Sequence, residues 1–260
     1  MLLIKRLLFG LTVLLLLSLN AHAVDYTADA NCEMALLMDV DEDPLTDSSG
    51  NGFTGALTGV GSPDYATASP PAAYSTGYYE FDAVNDQVNV AEGVDDNMTD
   101  KVTYCFWNDF DDFGIATVFG GYITAKNASS HNSPFHYEGQ SADLAFGVQI
   151  SSTDKEVAYG HTNLSTDTWY HFAGTYDGSV VTFYINGTSV GTPIAASGNM
   201  DVNASVLEIG HGAFQNGWKD GAMDEIALFS RALTSTEVND IMDNGLEGSA
   251  AGGGYGAQVI

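Results

Sequence analysis

Two stretches of the 260-residue chain combine aromatic rings with amides and imidazoles. Residues 127–141 carry Asn127, His131, Asn132, His136, Tyr137 and Gln140, and residues 211–220 carry His211, Phe214, Gln215, Asn216 and Trp218. Flat apolar faces flanked by hydrogen-bonding groups suit sugar recognition. Both stretches are turn-rich, where sandwich folds commonly place function. His211, Phe214, Asn216 and Trp218 form the candidate ligand-binding set. A competing reading puts tryptophan in the core. Trp107 and Trp169 lie within strand patterns, and Trp218 just precedes a last strand, so it reads equally well as core.

Other chemistry finds less support. No G-x-S-x-G nucleophile motif occurs. His131, His136, His161, His171 and His211 are scattered without the H-x-x-x-H spacing of a helical zinc site. His171 sits inside a strand pattern and reads as a hydrogen-bonded core or sheet-face residue. Asp39-Val40-Asp41-Glu42-Asp43-Pro44 imitates the start of an EF-hand, but Pro44 stands where the loop needs glycine and Gly50 where it needs glutamate. The next acidic loop, Asp47-Ser48-Ser49-Gly50-Asn51-Gly52, offers one carboxylate, an amide and glycine carbonyls, oxygen donors suited to a hard cation. Asp47 capping its own turn is the competing reading.

Charge narrows the partners. There are 7 Lys+Arg against 34 Asp+Glu, a net charge of −27. Nucleic acid and anionic lipid surfaces need clustered cations and are excluded as partners. With 45% hydrophobic and 11% aromatic residues the chain has material for a core despite its charge.

Residues 1–23 read as a secretory signal, with Lys5 and Arg6 before the apolar run Leu7–Leu19 and an A-x-A site at Ala21-His22-Ala23. Its removal leaves five cations against 34 acids, a net charge of −29. The expected product is secreted or periplasmic, without membrane insertion. In such an oxidising compartment Cys32 and Cys105 are expected to pair as a disulfide, with two buried free thiols as the alternative. Asn97, Asn127, Asn163, Asn186 and Asn203 each begin N-x-S/T, which matters only where the secretory path glycosylates.

The elements that must position these residues are mostly strands. Runs rich in β-branched and aromatic residues predict strands at 33–39, 53–58, 77–82, 86–90, 102–110, 115–123, 143–151, 156–160, 168–176, 179–186, 205–210 and 222–229. Asp177-Gly178 and Asn186-Gly187 mark hairpin turns. One helix is predicted over 234–243, opened by a Thr234/Glu237 capping box and stopped at Gly245. The expected organisation is signal 1–23, leader 24–31, one domain over 32–246 and a Gly-rich tail over 247–260.

Five ordered motifs carry a resemblance: the Asp47–Gly52 loop; Tyr79–Val90; Val102–Trp107; Trp169–Gly178 leading to Phe183–Gly187; and Asp224–Thr234. Together they resemble the LamG-like jelly-roll domains of the concanavalin A-like lectin/glucanase superfamily over about residues 32–246. The resemblance implies an all-β antiparallel jelly-roll β-sandwich with one short C-terminal helix. It also implies a calcium ion bridging the first loop to the Asp that opens the last strand, with Asp47, a carbonyl near Gly50 or Asn51, and Asp224 as ligands. Glucanases of this superfamily place catalytic carboxylates as E-x-D-x-E or E-x-D-x-x-E on one strand. Here Glu80-Phe81-Asp82-Ala83-Val84-Asn85 ends in an amide, which cannot shuttle a proton. The segment coincides with a structural hairpin of the LamG-like pattern and reads as scaffold.

These observations point to a secreted, non-catalytic module binding carbohydrate or glycosylated surfaces with a structural calcium ion. A structural or adhesive surface protein and a glycan-cleaving hydrolase or lyase are the alternatives.

Overall fold

A computed structural model describes residues 24–59, 63–68, 70–94, 96–112, 120–125, 135–138, 143–201, 206–212 and 217–248. The signal segment 1–23, most of the 127–141 loop, Phe214, Asn216, Asn203 and the tail from 249 lie outside them.

Among the described residues there are seventeen strands and one α-helix. The strands are β1 (Cys32–Leu36), β2 (Gly55–Thr58), β3 (Asp64–Ala66), β4 (Tyr78–Asp82), β5 (Gln87–Val90), β6 (Val102–Asn108), β7 (Gly120–Ala125), β8 (Phe135–Glu138) and β9 (Asp143–Ile150). They continue as β10 (Thr153–Gly160), β11 (Tyr170–Tyr176), β12 (Val180–Ile185), β13 (Thr188–Ala195), β14 (Leu207–Ile209), β15 (His211–Gly212), β16 (Gly217–Trp218) and β17 (Asp220–Phe229). Helix α1 spans Ser235–Asn244. All twelve predicted strands are present. The sequence reading missed β3, β8 and β13, and it left β15 and β16 inside a loop.

Two sheets face each other. One runs β13-β12-β11-β6-β17-β4-β3, with β1 also paired to β17; the other runs β10-β9-β8-β7-β14-β5-β2. Alternation sets which side chains meet between them. On β12 the inward positions Val181, Phe183 and Ile185 alternate with half-buried Val180, Thr182 and Tyr184. Opposite them, Val88, Val90, Leu144, Phe146, Leu207 and Ile209 close the core from the second sheet.

The central strand β6 is buried at all seven positions. Its inward residues Val102, Tyr104 and Phe106 join the main core. Cys105 faces a second cluster with Ala173, Ala227, Phe229, and Val238 and Ile241 of α1. The helix therefore covers the outer face of the first sheet. The Thr234/Glu237 capping box opens it, and Gly245 (φ 78°) closes it. Arg231 ties this cover down through Asp29 and Glu237 at 2.7 and 2.8 Å. Tyr26 packs here too, donating to Asp240 at 2.9 Å, so residues near the start of the described chain are part of the fold. No helix among the described residues is long and apolar enough to cross a membrane.

The expected disulfide is not formed. Cys32 and Cys105 are buried free thiols. The reason is topological. Strand β17 runs between β1 and β6, and its Ala227 pairs with Ala35 on one side and Cys105 on the other. Two strand spacings alone come to about 9–10 Å, and the cysteines also stand opposite different β17 residues, Phe229 and Ala227, whereas the Cα atoms of a disulfide lie at most about 7 Å apart. Burial pushes the Cys32 thiol up to about 12, and Cys105 rises for the same reason.

Candidate functional site

The site builds from β14. Leu207 and Ile209 point into the core, so Glu208 between them points to the outer face of the second sheet. It stands opposite Asn89 of β5 and Thr124 of β7. Although on an outer face, Glu208 is only 2% exposed. Gly210 then turns the chain at φ 85°, and a Cβ there would lie 2.5 Å from the Phe81 ring, so only glycine fits. The turn delivers His211 directly opposite Trp218 across the β15/β16 ribbon.

The His211 and Trp218 rings stack at 4.0 Å with 24° between their planes. His211 Nδ1 lies 3.1 Å from Glu208 Oε2. Carboxylate, imidazole and indole are thus one unit, with the indole half-buried. Beside it runs a polar row on the same face. Gln87 Nε2 donates to Asn89 Oδ1 at 3.3 Å, and Asn89 Nδ2 donates to Thr58 Oγ1 at 3.0 Å. Two of the four predicted ligand residues, His211 and Trp218, are therefore brought together. Glu208, Asn89 and Gln87 were not anticipated. The alternation of residues 207–209 was the signal that would have exposed Glu208. Phe214 and Asn216 lie outside the described residues.

The three expected calcium ligands each have protein hydrogen-bond partners. Asp47 Oδ1 accepts from the backbone of Ala35 and Ser49, both at 3.0 Å, and Oδ2 accepts from Gly52 and Phe53, both at 2.9 Å. Four amides occupy that carboxylate, the turn-capping alternative in full. Asn51 points its Nδ2 at the carbonyls of Cys32 and Glu33, at 2.8 and 3.1 Å. Asp224, fully buried, lies elsewhere on β17, opposite Trp107, and accepts from Ser75 Oγ at 2.6 Å. Among the described residues no group of three or more His, Cys, Asp or Glu is arranged to hold a metal ion. The Asp47 carboxylate and the Asn51 amide nitrogen are thus engaged by the main chain of the first loop and β1.

The carboxylates of the former glucanase question tie a hairpin. Asp82 Oδ1 accepts from Val84 N at 2.9 Å, and Asp86 Oδ2 accepts from Asp82 N at 3.1 Å. Glu80 and Asp82 are exposed on β4.

A buried acidic pair lies under the helix. Asp224 and Glu225 sit at an irregularity where β17 loses register with β6, and Glu225 takes a left-handed φ of 51°. Glu225 Oε2 accepts from Leu246 N at 2.9 Å. Burial, with Asp39 and Glu247 nearby, pushes its carboxyl up to about 8; burial and then Glu225 push Asp224 well above the usual range. Next to them Trp107 Nε1 donates to Tyr74 OH at 2.7 Å. His171, expected to be hydrogen-bonded, has no partner at either ring nitrogen and packs against Trp107 at 5.3 Å. Burial pushes it down to about 3, so it is a neutral core residue.

Two facing antiparallel sheets with a polar, aromatic-bearing outer surface define a jelly-roll β-sandwich. A family model, Laminin_G_3, described as the concanavalin A-like lectin/glucanases superfamily, matches residues 82–239, and the chain belongs to that superfamily. No curated protein matches it. Among solved structures it is similar to domain 4 of AbnA, an extracellular arabinanase from Geobacillus stearothermophilus, in complex with arabinotriose. That similarity has a TM-score of 0.57 and 17% identity, over 82% of this chain and 98% of that one. It is similar to the receptor binding domain of a botulinum neurotoxin C/D mosaic serotype, with a TM-score of 0.60 and 14% identity over 82% of this chain and 51% of that one. The binding domain of botulinum neurotoxin DC in complex with rat synaptotagmin II gives a TM-score of 0.61 and 13% identity, over 82% and 51%. The chain thus spans about half the length of these toxin domains.

Proposed function

We propose that the chain is a secreted, non-catalytic recognition module that binds carbohydrate on the outer face of the second sheet. The stacked His211–Trp218 pair beside buried Glu208 carries this reading. A half-buried indole supplies the apolar platform for a sugar ring, half-buried Asn89 and Gln87 supply hydrogen-bond groups that fix its orientation, and buried Glu208 orients His211. The arabinotriose held by the AbnA domain, on a similar fold, supports a sugar as the ligand. The toxin domain in complex with synaptotagmin keeps a protein ligand as the second reading.

The test is a glycan array followed by calorimetry on wild type, Trp218→Ala and Asn89→Ala. Loss of the stacking face is expected to weaken binding at least tenfold, by analogy with the roughly 1–3 kcal/mol that base–aromatic stacking contributes. Melting should stay near the wild-type value. No glycan bound, or undiminished binding by Trp218→Ala, would overturn the proposal. Reducing-sugar release would instead make the chain an enzyme.

A further inference from the structure

Five cations remain after residues 1–23: Lys101, Lys126, Lys155, Lys219 and Arg231. One of them, Lys219, is 1% exposed and ranks with the largest fully buried side chains. An ammonium taken out of water is costly unless oxygens replace its hydration. They do so here. Lys219 Nζ donates to the carbonyl of Asp109 at 2.5 Å and to that of Asp220 at 2.7 Å, and it lies 5.2 Å from the centre of the Phe110 ring. The carboxylates of Asp111, Asp109 and Asp220 surround it at longer range. Hard oxygen donors with acidic neighbours are what a metal ion would otherwise meet.

The cradle is shaped for this group. Gly221 has φ 107°, and a Cβ on it would lie 2.5 Å from the Asp109 carbonyl and 2.8 Å from Nζ. The same residues join separate segments. Lys219 N donates to Gly210 O at 2.8 Å, and Ala83 N donates to Lys219 O at 2.9 Å. Asp109 exchanges backbone bonds with Ala222, and its carboxylate accepts from Thr168 N at 2.6 Å. Chain alternation does the rest: Lys219 points inward and its neighbour Trp218 meets His211.

We infer that Lys219 is a tethered cation whose ammonium fills a carbonyl-lined cradle, clamping the 109–110 segment to the 219–220 stretch while its own backbone bonds the 83 and 210 segments, and thereby positioning Trp218. This holds whatever ligand Trp218 takes.

Lys219→Met keeps most of the stem and removes the charge, and Lys219→Ala opens the cradle. Both are expected to lower Tm by on the order of 10 °C. Propylammonium at tens of millimolar should restore a large part of the loss in Lys219→Ala. Choline at equal ionic strength should not, since it is too bulky for the cradle. Unchanged melting in either variant would overturn the inference. So would equal recovery with choline, because that would be general screening of the acidic shell. If neither variant folds, acetylation of native wild type decides. Exposed Lys101 should react while Lys219 stays protected until the fold is unfolded. Reaction of Lys219 as fast as Lys101 would overturn it.

Discussion

Replacing Glu225 by Gln removes a titratable proton from beneath α1 while keeping an oxygen for the Leu246 amide. In the unfolded chain this carboxyl ionises near its ordinary 4.5; in the fold, burial raises it to about 8. Between those values the folded state holds more protons than the unfolded one, so stability falls as pH rises. The contribution is whole below about 4.5 and gone once the pH has passed through about 8. Each pH unit in that window costs up to about 1.4 kcal/mol, so going from pH 5 to pH 8 costs roughly 3–4 kcal/mol. For a domain of this size that corresponds to a loss of about 10 °C in melting temperature. Asp224 titrates in the same direction, and removing the Glu225 charge lowers one cause of its rise, so the variant keeps a shallower slope. Urea melts of both proteins at several pH values provide the assay. The curves should lie close near pH 5 and separate steadily toward pH 8, with Glu225→Gln the more stable. Parallel curves would show that the pH dependence comes from the acidic surface as a whole, and the buried pair would lose its assigned role.

Two further outcomes follow from the other buried groups. Asp47→Ala strands four backbone amides and is expected to cost about 3 kcal/mol by urea melting, since bonds to a charged acceptor contribute most; millimolar calcium should leave the wild-type midpoint unchanged, and a rise of several degrees would return an ion to that loop. Ellman titration should find two thiols in denaturant under non-reducing conditions and none reacting quickly in the native protein, whereas two thiols missing in denaturant would restore the Cys32–Cys105 bond.

Local pattern made the strands legible, and order made the fold legible. The runs at 102–110, 168–176 and 179–186 became the adjacent strands β6, β11 and β12, because β-branched and aromatic residues at period two leave few other solutions. The helix was readable to within one residue at each end from Thr234, Glu237 and Gly245. Three-dimensional adjacency was not readable. Cys32 and Cys105 share a sheet, yet a strand from the far end of the chain separates them. The short β15 and β16 carry no run long enough to show alternation, so His211 and Trp218 were chosen by residue type, and their direct pairing emerged only from the ribbon. Lys219 was invisible for the opposite reason. Lysine is almost always exposed, so nothing in the string marks Lys219 as buried.

The acidity itself takes on a different meaning once its partners are known. Asp47 holds four amides, Asp177 accepts from Ser179 and Val180, Asp201 from Ser151 and Ser152, and Asp39 from Thr76 and Gly77. A jelly roll of short strands has many turns whose N–H groups lack a ladder partner, and aspartate is the residue that reaches back to them. Much of the charge is therefore a by-product of closing turns, and abundance of carboxylates does not mark a metal site. Glu208 differs in place: it sits mid-strand opposite Asn89, with its carboxylate against His211 of the aromatic stack. The proposed sugar site therefore rests on the ring stack of β15 and β16 and on the carboxylate that orients His211, and not on the acidity of the chain.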